Sequence, residues 1–201
     1  MVSKQQRRQR KLPAWIWVAG GSIVLAFWVV MVWLLYQGGQ VHGKGMENNI
    51  EGVVIFSNPG RAHSEEAIAY NQDVPVGGEH SAIWLNCGIY DRPVSEENVV
   101  HSLEHGAVWL AYRPDLPSDQ VEILRNLTRQ QNRRLRNPYV ILAPKIGLDV
   151  PIVATAWQVQ LKLENATDER LVQFLRQYWK GLFTPEPEKD CTDGTGQPID
   201  D

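Results

Sequence analysis

Read for the spacing of its apolar positions, the chain opens with one long apolar run and continues as short runs alternating with amphipathic stretches. Residues 14–36 carry no charge and close on Gln37-Gly38-Gly39-Gln40. At 1.5 Å per residue, a helix of that length measures about 34 Å, enough to cross a bilayer. After a polar stretch at 37–52, apolar runs at 53–56, 81–86, 107–112, 139–143 and 152–160 predict strands, most of them bounded by Gly, Pro or Asn. Residues 64–70 allow one or two helical turns capped by Ser64. Helical spacing is stronger after Ser118-Asp119, where Val121, Leu124, Leu127 and Leu135 recur. It is strongest after Thr167-Asp168, where Leu171, Phe174, Leu175, Tyr178 and Trp179 make a stripe suited to a core. The mixed order predicts one α+β domain over residues 53–184 rather than regular alternation of strand and helix.

One short amphipathic element carries chemistry. Ser95 is a candidate N-cap with Glu96 and Glu97 in the first turn, and Gly106 a candidate stop. At about 100° per residue, His101 and His105 share a face with Glu104 beside them, while Val99 and Leu103 point the other way. Two imidazoles one turn apart can meet one metal ion. The alternative is that His101, Glu104 and His105 form a solvated face. Upstream, the Gly77-Gly78 loop presents His80 with little steric restriction, and His63 precedes the possible helical turns.

Charge fixes the orientation of the long apolar run. Lys4, Arg7, Arg8, Arg10 and Lys11 precede it with no acid among them, so residues 1–13 are expected in the cytoplasm and everything after residue 36 outside. The run is too long for the core of a cleaved signal peptide and lacks a small-x-small site, which predicts an uncleaved signal anchor. Trp15, Trp17, Trp33 and Tyr36 suit the two interfaces. The expected location is an inner membrane, single-pass, with the domain on the extracytoplasmic side.

The chain has 201 residues, 43% of them hydrophobic, enough for one medium domain plus an attachment. With the five N-terminal basic residues set aside, 15 of the 20 Lys and Arg stand against 23 Asp and Glu, about −8 for the outer part. That balance excludes nucleic acid as a natural partner. Arg125, Arg129, Arg133, Arg134 and Arg136 give one helix a basic side, either a solvated face or a contact for anionic lipid or a partner protein. The two cysteines, Cys87 and Cys191, lie on the oxidising side, where a disulfide is the expected state. Residues 185–201 are rich in Pro, Asp and Glu and are expected to be disordered apart from an anchor at Cys191.

Several motifs form an ordered set: Gly60-Arg61-x-His63, Tyr70, Pro75-x-Gly77-Gly78-x-His80, Trp84-x-Asn86-Cys87-Gly88-x-Tyr90, Glu97-Asn98-x-Val100-His101-Ser102-Leu103-Glu104-His105-Gly106, Tyr112-x-Pro114, Ala154-x-Ala156-Trp157 and Pro185-Glu186-x-x-x-x-Cys191. Over residues 52–191 this set resembles the bacterial "domain of unknown function 3105" family. The departures are Val74, where a proline is expected, and Gln158, where glycine is expected. The resemblance implies a membrane-anchored outer domain of bacteria and supplies neither a mechanism nor a ligand set.

Three functions follow from the residues. In the first, His80, His101 and His105 bind a transition metal, with His63, Glu104 or Cys87 completing the shell. Imidazole donors suit zinc or copper(II), and an outer part whose one methionine is Met46 disfavours a thioether-rich copper(I) site. In the second, the spacing His101-x-x-Glu104-His105, similar to the short signature of the inverzincin metallopeptidases, makes Glu104 the general base of a small metal-dependent hydrolase. The downstream acid that completes that signature has no counterpart. In the third, the histidines bond to backbone carbonyls, and the domain is a non-enzymatic assembly module docking on a membrane protein or envelope complex. The sequence does not set the oligomeric state.

Overall fold

The apolar runs rich in β-branched residues join one five-stranded sheet. The computed structural model describes Trp28 and residues 50–135 and 137–199. The chain divides into two compact units, Met1–Glu47 and Asn48–Asp201, the second of which carries the sheet. The strands are β1 (Val53–Ile55), β2 (Val108–Tyr112), β3 (Val140–Pro144), β4 (Ile152–Ala156) and β5 (Val159–Leu163), in the spatial order β1-β5-β4-β2-β3. β2 and β3 are parallel and the other neighbours antiparallel. Within residues 50–199 as described, three helices accompany the sheet: α1 (Glu96–Glu104), α2 (Ser118–Arg134) and α3 (Glu169–Tyr178).

Every residue of β2, β3 and β4 is buried, because the sheet is covered on both faces. Val108, Leu110, Val140, Leu142, Leu161 and Leu163 face a core shared with Leu124 of α2 and with Leu171, Phe174 and Leu175 of α3. Trp109, Ala111, Ile141, Ala143 and Val153 face the opposite core, filled by Val99, Val100 and Leu103 of α1. The candidate chemistry lies on this second side. The sequence expectation of a mixed α+β domain agrees with this architecture.

Three local expectations are corrected. Residues 81–86 form no strand, because their backbone groups are taken by α1 and the C-terminal segment. Leu85 N donates to Asn98 O at 3.0 Å and to Ser102 Oγ at 3.0 Å, and Asn86 N donates to Thr195 O at 2.8 Å. Residues 64–70 form no helix, and Ser64 Oγ accepts from Glu66 N at 3.2 Å in a local turn only. The single run 152–160 is the hairpin β4-β5, broken at Trp157-Gln158, where Gln158 adopts a φ of 64°.

The C-terminal segment is also not disordered. Thr195 N donates to Trp84 O at 2.9 Å and Ile199 N to Ile89 O at 2.8 Å. Cys87 and Cys191 form a disulfide spanning 104 positions, so acidic composition is overridden by a covalent tie and backbone pairing. On the basic side of α2, Arg129 pairs with Glu122 at 3.0 Å, while Arg136 lies outside the described residues.

The expected basic tail, the membrane span 14–36 and most of the linker lie outside the described residues as well. Among the described residues no helix is long and apolar enough to cross a membrane.

Candidate metal centre

α1 begins as its sequence dictates: Ser95 Oγ accepts from Asn98 N at 3.3 Å, with Glu96 and Glu97 in the first turn. It ends at Gly106, whose φ of 98° lies in the region that disfavours side chains, and where an added Cβ would come within 2.9 Å of the Lys180 backbone. From Val99 onward the helix is buried on both faces, so the alternative of a solvated face for His101, Glu104 and His105 does not hold. His101 is 6% exposed, and Glu104 and His105 are each 3% exposed.

The other two histidines arrive on irregular backbone. Gly77 has a φ of 141° and packs against Trp157, whose ring atoms would be 3.1 Å from a Cβ at this position, so only glycine passes here. Two residues after Gly78 comes His80. His80 N donates to Ala62 O at 2.9 Å and Ser64 N donates to His80 O at 2.8 Å, a bridge that sets His63 beside His80. The rings of His63, His80 and His101 then lie 4.8–5.1 Å apart, and those of His101 and His105 4.6 Å apart.

Three backbone carbonyls decide the tautomers. His80 Nδ1 lies 2.7 Å from Gly78 O, His101 Nδ1 2.7 Å from Ser81 O and His105 Nδ1 2.7 Å from Asp190 O. A carbonyl oxygen only accepts, so each Nδ1 carries a proton, and in the neutral ring Nε2 then offers a lone pair. The Nε2 atoms face acceptor groups. His80 Nε2 is 3.1 Å from Glu104 Oε2, and His101 Nε2 is 3.1 Å from His105 Nε2. Acceptors held against acceptors inside a protein repel unless a proton or a metal cation lies between them.

Burial also favours the neutral form of His101 and His105. His101 is pushed from its ordinary value of 6.5 down to about 4, first by desolvation and then by His105, His80 and His63, against the opposing pull of the Ser81 carbonyl. His105 is likewise lowered by desolvation, opposed by the Asp190 carbonyl and by the charges of Glu186 and Glu104.

The ligand atoms of His63, His80, His101 and Glu104 all lie within 4.8 Å of one another, and this group could hold a metal ion. His105 stands outside the group, one step beyond His101. His63 is the outward-facing member, with its side chain 51% exposed and Nε2 4.0 Å from Glu104 Oε2. Cys87, offered by the sequence as a possible ligand, is committed to the disulfide.

The sequence reading did not single out Arg61, Trp84 or Glu186 for this site, although all three stand in the motifs of the resemblance. Arg61 Nη1 lies 3.5 Å from Glu104 Oε1 and 3.6 Å from Glu186 Oε1. The Trp84 ring packs 5.6 Å from His101 and 5.0 Å from His105, and Trp157 closes the far side at 5.9 Å from His80.

Comparison with curated proteins and with solved structures gave no match. A family profile described as "Protein of unknown function (DUF3105)" matches residues 62–193, more than half of the chain and a span that includes the four clustered histidines, Glu104 and both cysteines. The chain therefore belongs to the DUF3105 family.

Proposed function

We propose that this domain is a transition-metal-binding module, held by its N-terminal segment to the outer face of a bacterial inner membrane. His63, His80, His101 and Glu104 hold the ion, and His105 stands next to them as a further donor. The observation that carries this reading is the convergence of buried Nε2 atoms on one another and on a carboxylate, with each opposite Nδ1–H fixed by a backbone carbonyl. Metal-bound histidines are oriented in the same way by the partner of their second nitrogen. Donors around a tetrahedral ion at about 2.0–2.1 Å stand about 3.3 Å apart. Within the set, His80 Nε2 and Glu104 Oε2 stand at 3.1 Å, and all the ligand atoms lie within 4.8 Å of one another. A set of imidazoles and one carboxylate with no sulfur suits zinc or copper(II).

Glu104 is better placed as a ligand than as the general base of a hydrolase, because its Oε2 already faces His80 and His63 inside the donor group. Calorimetric titration of the purified chain with zinc and with copper(II) tests the assignment. Glu104→Gln should weaken binding about tenfold or more if Glu104 is a ligand, within the range that loss of a site's supporting groups produces. Unchanged binding together with loss of a hydrolytic activity would return Glu104 to the role of base.

A further inference from the structure

The segment after α3 crosses the histidine cluster on its way to the disulfide. Glu186 N donates to Glu104 O at 3.0 Å, and Tyr139 Oη donates to Lys189 O at 2.8 Å. The next carbonyl, that of Asp190, accepts the Nδ1–H of His105 at 2.7 Å. One residue beyond the disulfide, Thr192 O accepts from Trp84 Nε1 at 2.8 Å, and Trp84 is the indole packed on the rings of His101 and His105. Cys191 thus sits between two carbonyls. One sets the orientation of an imidazole of the cluster, and the other holds the wall against which two imidazoles lean. Cys87 N donates to Cys191 O at 2.8 Å, and the Sγ–Sγ bond fixes this crossing to the loop that carries Trp84.

We infer that residues 186–192 are a strap belonging to the metal centre, with Asp190 as the positioning residue for His105, and that the disulfide locks this strap so that metal affinity depends on its redox state. The inference rests on the cluster being a metal centre. Reduction by a small dithiol breaks the Sγ–Sγ bond and delivers two electrons and two protons. It leaves two thiols on the chain, and the dithiol closes to its own disulfide. Released from Cys87, Cys191 no longer holds Asp190 O against His105 Nδ1 or Thr192 O against Trp84 Nε1. His105 then loses the bond that fixes its tautomer and its ring orientation. Coupling between two sites is reciprocal, so a bound ion opposes reduction by the same factor that the disulfide adds to metal affinity. The ion is consequently retained where the disulfide persists and released where thiols prevail.

The test is a double-mutant cycle on the full chain, with zinc as the probe and affinity read by competition against a chelator. Loss of an outer-shell partner commonly costs 10–100-fold in metal affinity. The paired substitution Cys87→Ser with Cys191→Ser should therefore weaken zinc binding by about tenfold or more. In a His105→Ala background the same pair should cause a clearly smaller loss, because only the Trp84 wall against His101 is left for the strap to hold. Two results overturn the inference: parent-like affinity in the serine pair, or an equal loss in both backgrounds, which assigns the disulfide to the fold as a whole. A parent chain that binds no zinc is a separate result, removing the metal reading and the strap's role with it.

Discussion

At the residue scale, the decisive fact is which ring nitrogen carries the proton. The helical spacing made the approach of His101 and His105 legible, since four residues slightly exceed one turn, and the paired glycines marked where His80 could enter. The carbonyls of Gly78, Ser81 and Asp190 were not legible, because each comes from irregular backbone whose course is set by tertiary packing. They convert a patch of histidines into a set of aimed Nε2 atoms. A pH dependence follows. In the metal-free chain His101 is pushed to about 4 in the folded state against 6.5 in its absence, so the unfolded chain binds the proton first. Where the unfolded state holds more protons, stability falls with falling pH. His101 therefore contributes nothing to pH dependence above 6.5, and stability is lost between 6.5 and about 4. Urea unfolding of the chelator-treated chain should give a lower free energy at pH 5 than at pH 7, and His101→Asn should flatten that slope. An equal slope in the variant would mean that His101 is not held neutral by burial.

At the scale of elements, the long periodic segments were readable and the short ones were not. α2 and α3 carry three or more apolar positions at helical spacing, and β2 and β3 are apolar throughout, so periodicity and length settled them. Residues 81–86 resemble a strand in composition, yet α1 and the C-terminal segment supply their hydrogen bonds. The hairpin β4-β5 was hidden because its turn is Trp157-Gln158 rather than a pair with glycine. Gln158 sits at a φ of 64°, the position where the family resemblance expects glycine. A left-handed conformation costs a side-chain-bearing residue about 1–2 kcal/mol, partly offset by the greater freedom of glycine in the unfolded chain. Gln158→Gly should accordingly raise stability by about 0.5–1 kcal/mol, visible as a higher urea midpoint with an unchanged slope. The opposite substitution type applies at the end of α1. Gly106→Ala would place a Cβ 2.9 Å from the Lys180 backbone at a φ of 98°, and should lower stability by about 2 kcal/mol or more. A neutral result for Gly106→Ala would show that the helix stop and the α3 exit do not approach as closely as described.

At the scale of the whole molecule, a sheet covered on both faces presents one short buried helix, and the chain's C-terminal segment returns over it. Closing a loop of 104 positions removes about 4–5 kcal/mol of unfolded-state freedom in the chain-entropy account, so the disulfide supports the fold as well as the strap. Composition read the returning segment as disordered because apolar content is its only measure, and pairing with Trp84, Asn86 and Ile89 lies outside that measure. The central claim is that the buried cluster exists to hold a metal ion rather than to pin loops, and metal content decides it. The purified chain, equilibrated with trace zinc and copper and then dialysed, should carry about one ion per chain by elemental mass spectrometry. His101→Ala should carry none while keeping the parent's circular dichroism. A metal-free parent whose His101→Ala variant loses stability would contradict the claim and make the histidines structural.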